Sequence, residues 1–149
     1  MKKLYLLRHA KSGWDNSVLR DYDRPLDVLG RSQAKAMGRF FQENAFKIDG
    51  MLCSGALRAR QTLELLLALY AYLGKIEYRD EIYASSTSIL KNLILEAELD
   101  HLLLVGHNPE ISMLAGDLTG QALVMSTCQL AVIDMEKGRL EIFTRPEIC

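Results

Sequence analysis

The stretch LYLLRHAKSGW, residues 4–14, changes abruptly from apolar to charged. Its first four residues have the composition of a buried strand, and Arg8 and His9 follow them at once. In layered α/β proteins, ligands bind beyond the carboxyl ends of the strands, where helix N-termini also point. The stretch therefore predicts a strand that carries a guanidinium and an imidazole to a binding site.

The rest of the chain alternates between strand-like and helix-like segments. The hydrophobic patterns predict strands at 3–8, 50–54, 75–79 and 101–106, helices at 26–44, 57–73, 88–98 and 109–118, and a hairpin formed by 129–135 and 139–145. Asp27 and Asn108 are the predicted N-caps of the first and last helices. This order predicts a three-layer α/β/α sandwich with a mostly parallel, mixed central sheet and an antiparallel edge hairpin. We expect residues 1–149 to form a single domain.

The composition argues against several classes of partner. Net charge is −1 and charged residues of both signs make up 25% of the chain, so no nucleic-acid partner is expected. The cysteines, Cys53, Cys128 and Cys149, fit neither a disulfide framework nor a zinc-ligand pattern, which predicts a reducing, cytoplasmic location. No apolar stretch reaches the roughly 20 residues needed to cross a bilayer, so no membrane association is expected.

Two further strand ends carry chemically active side chains, in SGALRARQT at 54–62 and VGHNP at 105–109. Arginine presents a planar fork of donors that suits an oxyanion. A neutral imidazole can attack phosphorus when its other ring nitrogen is held protonated. If the three strands are neighbours, a phosphate site forms from four side chains: Arg8, His9, Arg58 and His107.

Each of these signals has a simpler structural interpretation, and two other phosphatase chemistries are open. A lone Arg-His pair is usually a solvated turn, and Arg58 fits a solvated first helical turn. Cys53 and Arg58 form C-x4-R, one residue short of the C-x5-R of cysteine phosphatases, so Cys53 is predicted to be a core thiol. DYDRP at 21–25 lacks the buried strand that precedes the D-x-D loop of aspartyl-phosphate phosphatases, and is predicted to be a surface loop over the site. His101 is predicted to be a solvated strand entry.

Four ordered segments resemble the histidine phosphatase superfamily, the phosphoglycerate-mutase-like proteins. They are RHAKSGW at 8–14, DRPLDVLG at 23–30, SGALRARQT at 54–62 and VGHNP at 105–109. The short length and the RHAKS form most resemble the compact SixA-like phosphohistidine phosphatases. The resemblance implies a phosphoglycerate-mutase-like fold, and a cofactor-free, metal-independent phosphatase that is transiently phosphorylated on a histidine.

The resemblance also implies roles for individual residues. His9 would be the nucleophile, Arg8 and Arg58 would hold the phosphoryl oxygens, and His107 would donate to them. Asn108 would add a backbone N–H at a helix N-terminus, a position that favours anions. We expect His9 to be neutral and His107 to act as a donor, so their pKa values should be pushed apart and give a bell-shaped pH profile.

The proton donor for the leaving group has no clear motif. Glu81 is the first candidate by position, with Asp80 beside it, and Asp15 and Asp21 are weaker candidates; a solvated acidic turn explains Glu81 equally well. A site without a placed acid suits phosphohistidine, because an imidazole nitrogen can be protonated near neutral pH. The expected substrate is therefore a histidine-phosphorylated partner protein, as in signal transduction. A small phosphate ester is the alternative, and a non-catalytic module that binds phosphorylated ligands is the alternative of another class.

Overall fold

A computed structural model describes residues 1–13 and 18–148, so the expectations for Asp15 and Cys149 lie outside the described residues. The strands are β1 (Lys3–Arg8), β2 (Gly50–Cys53), β3 (Lys75–Tyr78), β4 (His101–Gly106), β5 (Leu130–Asp134) and β6 (Arg139–Thr144). The helices are α1 (Val28–Glu43), α2 (Leu57–Leu67), α3 (Thr87–Ala97) and α4 (Glu110–Thr119), with short 3-10 turns at Asp21–Asp23 and Asp80–Ile82. Within the described residues, no helix has the length and apolar character needed to span a membrane.

The six strands form one mixed sheet in the order β3-β2-β4-β1-β5-β6. The first four are mutually parallel, whereas β5 and β6 are antiparallel and form the edge hairpin. Strand β1 is buried on both faces: Tyr5 and Leu7 pack with α1 and α2, and Leu4 and Leu6 pack with α3 and α4. A strand covered on both faces is apolar throughout, which explains the run LYLL. The predicted three-layer α/β/α architecture is confirmed.

The strand order brings the carboxyl ends of β2, β4 and β1 side by side. Cys53 pairs with Val105 and Arg8 pairs with Gly106, so the three strands end at the same level. The first residue after each strand, Ser54, His107 or His9, therefore starts at one edge of the sheet. A functional site at this edge follows from the topology.

Two predictions about the helices differ from the structure. Helix α2 ends at Leu67 rather than 73, because the following segment is tied to α1 through a hydrogen bond from the Ala71 N–H to the Gln42 side chain (3.0 Å). Asp27 caps α1 as predicted, but Asn108 does not cap α4. Its amide instead donates to the Met125 carbonyl (2.8 Å) and its side-chain oxygen accepts from Ser112 (2.6 Å).

His101 is not the solvated residue that its position predicts. It is half-buried, and its Nδ1 lies 3.0 Å from a carboxylate oxygen of Asp49. The same oxygen accepts the His101 backbone N–H. This pair lies at the amino end of β4, at the opposite end of the strand from His107.

Candidate active site

The four side chains predicted to converge lie together at the carboxyl edge of the sheet. The ring centroids of His9 and His107 are 5.1 Å apart, and the Arg58 Nε lies 3.4 Å from the His9 Nε2. These three side chains are nearly buried, with 6–8% of their surface exposed. Arg8 is close enough for its charge to lower the pKa of both imidazoles.

The tautomer of His9 follows from its hydrogen bond to the main chain. Its Nδ1 lies 2.7 Å from the carbonyl oxygen of Ala10, and because a carbonyl can only accept, Nδ1 carries the proton. The Ala10 N–H donates to the Thr62 hydroxyl (2.9 Å), which in turn donates to the Arg58 carbonyl (2.7 Å). The first turn of α2 therefore fixes the His9 loop, and the Nε2 lone pair of His9 is directed towards Arg58.

Both histidines of the site are neutral at pH 7. Burial lowers the pKa of His9 to about 3, the hydrogen bond to Ala10 opposes that shift, and the charges of His107 and the two arginines lower it further. Burial and the Arg58 charge lower the pKa of His107 to about 4. The two pKa values are lowered together rather than pushed apart, because both rings are buried beside the same arginines.

Two buried side-chain nitrogens have no hydrogen-bond partner within the described part of the chain: Arg8 Nε and His107 Nδ1. Leaving such a group unpaired costs roughly 1–3 kcal/mol. Both belong to residues at the same strand edge, and an oxyanion bound there supplies the acceptors that they lack. The two unpaired nitrogens therefore lie at the sheet edge where the candidate site is.

A cavity of about 170 Å³ lies beside Arg58 and His107. It is lined by Asp21, Arg58, Tyr83, Ala84, His107, Asn108 and Glu110. The lining thus combines one guanidinium and several neutral side chains with two carboxylates, those of Asp21 and Glu110.

Asp21 comes from the predicted surface loop and holds Arg58 in place. The Arg58 guanidinium donates to the Asp21 carbonyl (2.7 Å) and to its carboxylate (3.0 Å), and Tyr83 donates to the same carboxylate oxygen (2.8 Å). Burial raises the pKa of Asp21, but hydrogen bonds from Tyr83 and Arg24 and the charge of Arg58 outweigh it and hold the pKa at about 2. Asp21 is therefore ionised at neutral pH and has no proton to donate.

The structure does not bring Glu81 to the site. Both of its carboxylate oxygens accept hydrogen bonds from Arg79 at 2.9 Å, and its side chain is half-exposed outside the cavity. Asp80 accepts from the Tyr22 hydroxyl and is also absent from the cavity wall. The carboxylate that the sequence argument missed is Glu110, in the first turn of α4.

Ser54 and Tyr83 were also missed, although Ser54 carried a usable signal. Like His9 and His107, it is the first residue after a strand that ends at this edge. Its hydroxyl lies 2.7 Å from the His107 Nε2. Tyr83 has no such signal, because it reaches the site from beyond the 3-10 turn at Asp80–Ile82. Asn108 lines the cavity as expected, although its side chain bonds elsewhere.

The cysteines give no support to thiol chemistry. Cys53 and Cys128 are completely buried, and burial raises the pKa of both thiols, that of Cys128 to about 12. Cys53 is therefore a protonated core thiol, as its position predicts. In residues 1–13 and 18–148, no three His, Cys, Asp or Glu side chains cluster in a way that could hold a metal ion.

The lowered histidine pKa values predict acid sensitivity. Below pH 6.5 an unfolded histidine takes up a proton, whereas His9 in the folded protein does not until the pH approaches 3. Protons therefore favour unfolding, and stability is lost as the pH falls below 6.5. When the pH is lowered from 7.5 to 4.5, we expect the free energy of unfolding of wild type to fall by about 2 kcal/mol more than that of His9→Asn. Urea titration at both pH values tests this, and parallel losses would contradict it.

Comparison with known proteins agrees with this architecture. The family model described as the histidine phosphatase superfamily (branch 1) matches residues 4–81. A candidate phosphohistidine phosphatase SixA from Agrobacterium tumefaciens is 33% identical, with a TM-score of 0.88 over 97% of this chain and 99% of its own. A second candidate SixA, from Nakamurella multipartitia, is 26% identical, with a TM-score of 0.82 over 97% of this chain and 96% of its own.

A curated relative also matches most of this chain. An uncharacterized chloroplastic protein of Arabidopsis thaliana is 30% identical over 89% of this chain, which spans 66% of that protein's length. The family match covers more than half of the chain, and the structural matches confirm the phosphoglycerate-mutase-like fold. The chain therefore belongs to the histidine phosphatase superfamily, and it is a phosphatase with a SixA-like fold.

Proposed function

We propose that this phosphatase removes phosphate from phosphohistidine on a partner protein, through a phosphorylated His9 and without a metal ion. The observation that carries the proposal is the fixed tautomer of His9. Its Nδ1–H is bound by the Ala10 carbonyl, so the Nε2 lone pair is available beside Arg58 and His107. A positioned neutral imidazole among phosphate donors is what nucleophilic attack on phosphorus requires.

In the first half-reaction, the phosphoryl oxygens take hydrogen bonds from Arg8, Arg58 and His107. His9 Nε2 attacks phosphorus in line, a new N–P bond forms, and the P–N bond of the substrate breaks. The departing imidazole keeps the bonding electron pair and is protonated from solvent. The two arginines stabilise the charge on the equatorial oxygens, which is the contribution that a metal ion makes in other phosphotransfer sites.

In the second half-reaction, water attacks the phosphorylated His9. The P–O bond to water forms as the water releases a proton to solvent, the P–N bond to His9 breaks, and inorganic phosphate leaves. The electron pair returns to Nε2, while Nδ1 keeps its proton because the Ala10 carbonyl continues to accept it. His9 is thereby restored to the tautomer with which it began.

The preference for phosphohistidine rests on the leaving group. An alkoxide gains about 10²–10⁴-fold from a general acid, whereas an imidazole nitrogen can be protonated near neutral pH. Asp21 is ionised, with a pKa of about 2, and Glu81 is paired with Arg79 outside the cavity. The SixA-like neighbours, which are themselves candidate phosphohistidine phosphatases, support the same substrate class.

Glu110 favours one alternative, a small-molecule phosphomonoesterase that uses the same pocket. It lines the cavity into which a leaving group would project. At the N-terminus of α4 its negative charge also interacts favourably with the helix dipole, which explains its position without any catalytic role. Glu110→Gln separates the two explanations: an ester hydrolase that depends on Glu110 loses about 10²-fold or more in kcat.

A comparison of substrates tests the proposed function. We expect kcat/KM on a histidine-phosphorylated carrier protein to exceed that on small phosphate esters by about 10²-fold or more, because the esters need a proton donor that neither the ionised Asp21 nor the Arg79-paired Glu81 supplies. The rates are measured side by side, with and without EDTA. Faster hydrolysis of the esters would contradict the proposal that phosphohistidine is the substrate. Loss of activity in EDTA would contradict the metal-free mechanism.

A further inference from the structure

Ser54 is a buried serine whose hydroxyl contacts a histidine of the candidate site. It is completely buried at the end of β2, and its Oγ lies 2.7 Å from the Nε2 of His107. The same oxygen accepts the backbone N–H of Ala56 at 3.2 Å. The other ring nitrogen of His107, Nδ1, is the buried atom that has no partner in the described chain.

The proton count at this pair favours one arrangement. A neutral imidazole has one N–H and one lone pair, and the serine hydroxyl has one proton. If Ser54 donates to Nε2, its proton is satisfied and His107 carries its own proton on Nδ1. If Nε2 donates to Ser54, the serine proton has no acceptor among the described residues, since Oγ has only the contacts to His107 and Ala56. Burial makes that second arrangement costly.

The two arrangements also differ in what they present to a ligand. With the proton on Nδ1, His107 offers a hydrogen-bond donor at the position where the oxyanion is expected. With the proton on Nε2, it offers a lone pair, which repels a phosphoryl oxygen. The nitrogen that is protonated in a histidine is set by the hydrogen bond that the other nitrogen makes.

We propose that Ser54 is a positioning residue that fixes His107 as the Nδ1–H tautomer, so that the neutral ring donates to a phosphoryl oxygen. The part that concerns the phosphoryl group rests on the proposed function; the tautomer does not. In this arrangement both histidines of the site act in their neutral forms. His9 is held by a carbonyl that accepts, and His107 by a hydroxyl that donates. The protein thereby gives the two rings opposite roles without a difference in charge.

The test is the ¹⁵N NMR spectrum of the imidazole nitrogens at pH 7, measured without substrate. The chain has three histidines, and a His107→Gln variant assigns the His107 signals by their loss. In wild type we expect His107 to show a protonated Nδ1 and an unprotonated Nε2. In Ser54→Ala we expect a mixture of the two tautomers, because the donor to Nε2 is gone, whereas Ser54→Thr keeps the hydroxyl and keeps the wild-type pattern.

Ser112→Ala is the matched control. Ser112 is also a buried serine near the site, but its hydroxyl bonds to Asn108 and to the Met125 N–H rather than to His107. We expect its removal to leave the His107 tautomer unchanged. In activity, we expect Ser54→Ala to lose about tenfold in kcat, with KM changed by less than twofold, because the donation matters most in the transition state.

The inference is overturned if wild-type His107 is protonated on Nε2, or if Ser54→Ala leaves the Nδ1–H tautomer intact. The wild-type spectrum alone decides the first point, even if Ser54→Ala does not fold. The readout needs no substrate, so it is independent of the proposed function. If the protein does not hydrolyse phosphohistidine and His107 is still the Nδ1–H tautomer, the proposed function fails while the assignment of Ser54 stands.

Discussion

Replacing His9 with alanine is expected to lower kcat by at least about 10⁴-fold on any substrate that the protein hydrolyses. The change removes the Nε2 lone pair of His9, which the structure fixes at 3.4 Å from the Arg58 Nε. The nearby thiol of Cys53 does not substitute, because burial raises its pKa far above neutral. Rates are measured under single-turnover conditions, so that binding and chemistry are separated.

The covalent intermediate gives this prediction a second readout. Wild-type protein mixed with ³²P-labelled substrate and quenched in alkali, in which phosphohistidine survives, should carry label that His9→Ala lacks. His101→Ala is the matched control: it also removes an imidazole, but one at the amino end of β4, beside Asp49. We expect that variant to keep kcat within about twofold.

The outcomes of this experiment separate the classes of function. Label on another residue, or turnover by His9→Ala at more than about 1% of the wild-type rate, would contradict the proposal that His9 is the nucleophile. Wild-type protein that binds phosphorylated ligands with neither label nor turnover would be a binding module. A labelled His9 that turns over establishes the enzyme.

Replacing Arg58 with alanine is expected to lower kcat/KM by about 10³-fold. Arg58 is buried, contacts His9 and lines the cavity, and Asp21 fixes its guanidinium through two hydrogen bonds. The loss therefore combines weaker binding of the phosphoryl group with weaker stabilisation of the transition state. Arg58→Lys should recover only part of it, because an ammonium cannot donate to two oxygens in the fixed geometry of a guanidinium.

Arg60 provides the control for this change. It lies on the same helix, two residues further on, but it is exposed and its guanidinium packs 5.2 Å from the ring centroid of Tyr78. Arg60→Ala therefore removes the same charge from α2 without touching the cavity. Steady-state kcat and KM are measured for Arg58→Ala and Arg60→Ala. Equal losses of kcat/KM in the two variants would contradict a specific role for Arg58.

The strands that are buried on both faces of the sheet were predicted best from the sequence. Strands β1 and β4 begin and end where the apolar runs do, because a strand in the middle of a three-layer fold has no exposed face to interrupt the pattern. The same regularity located His9 and His107, since each follows such a run directly. Arg58 was found from its position near the end of β2 together with the family resemblance.

The sequence predicted poorly whatever depends on contacts between distant segments. Nothing in the run LELLLALYAYL signals the end of α2 at Leu67, because the hydrogen bond between Ala71 and Gln42 connects it to another helix. Glu81 was preferred to Asp21 by order along the chain. Which of the two carboxylates lies in the site depends on tertiary contacts: Asp21 is bonded to Arg58, whereas Glu81 is paired with Arg79. Local patterns carry no information about either contact.

The pairing of β1 with β4 and β5 has a consequence for how the protein is made. On the ribosome, the strand that precedes His9 emerges roughly 100 residues before β4, and at about 5–20 residues per second it waits several seconds for its first sheet partner. During that time the apolar segment LYLL is available to chaperones or to other nascent chains. His9 is thus synthesised early, but the pocket beside it closes only when the late-synthesised strands have joined the sheet.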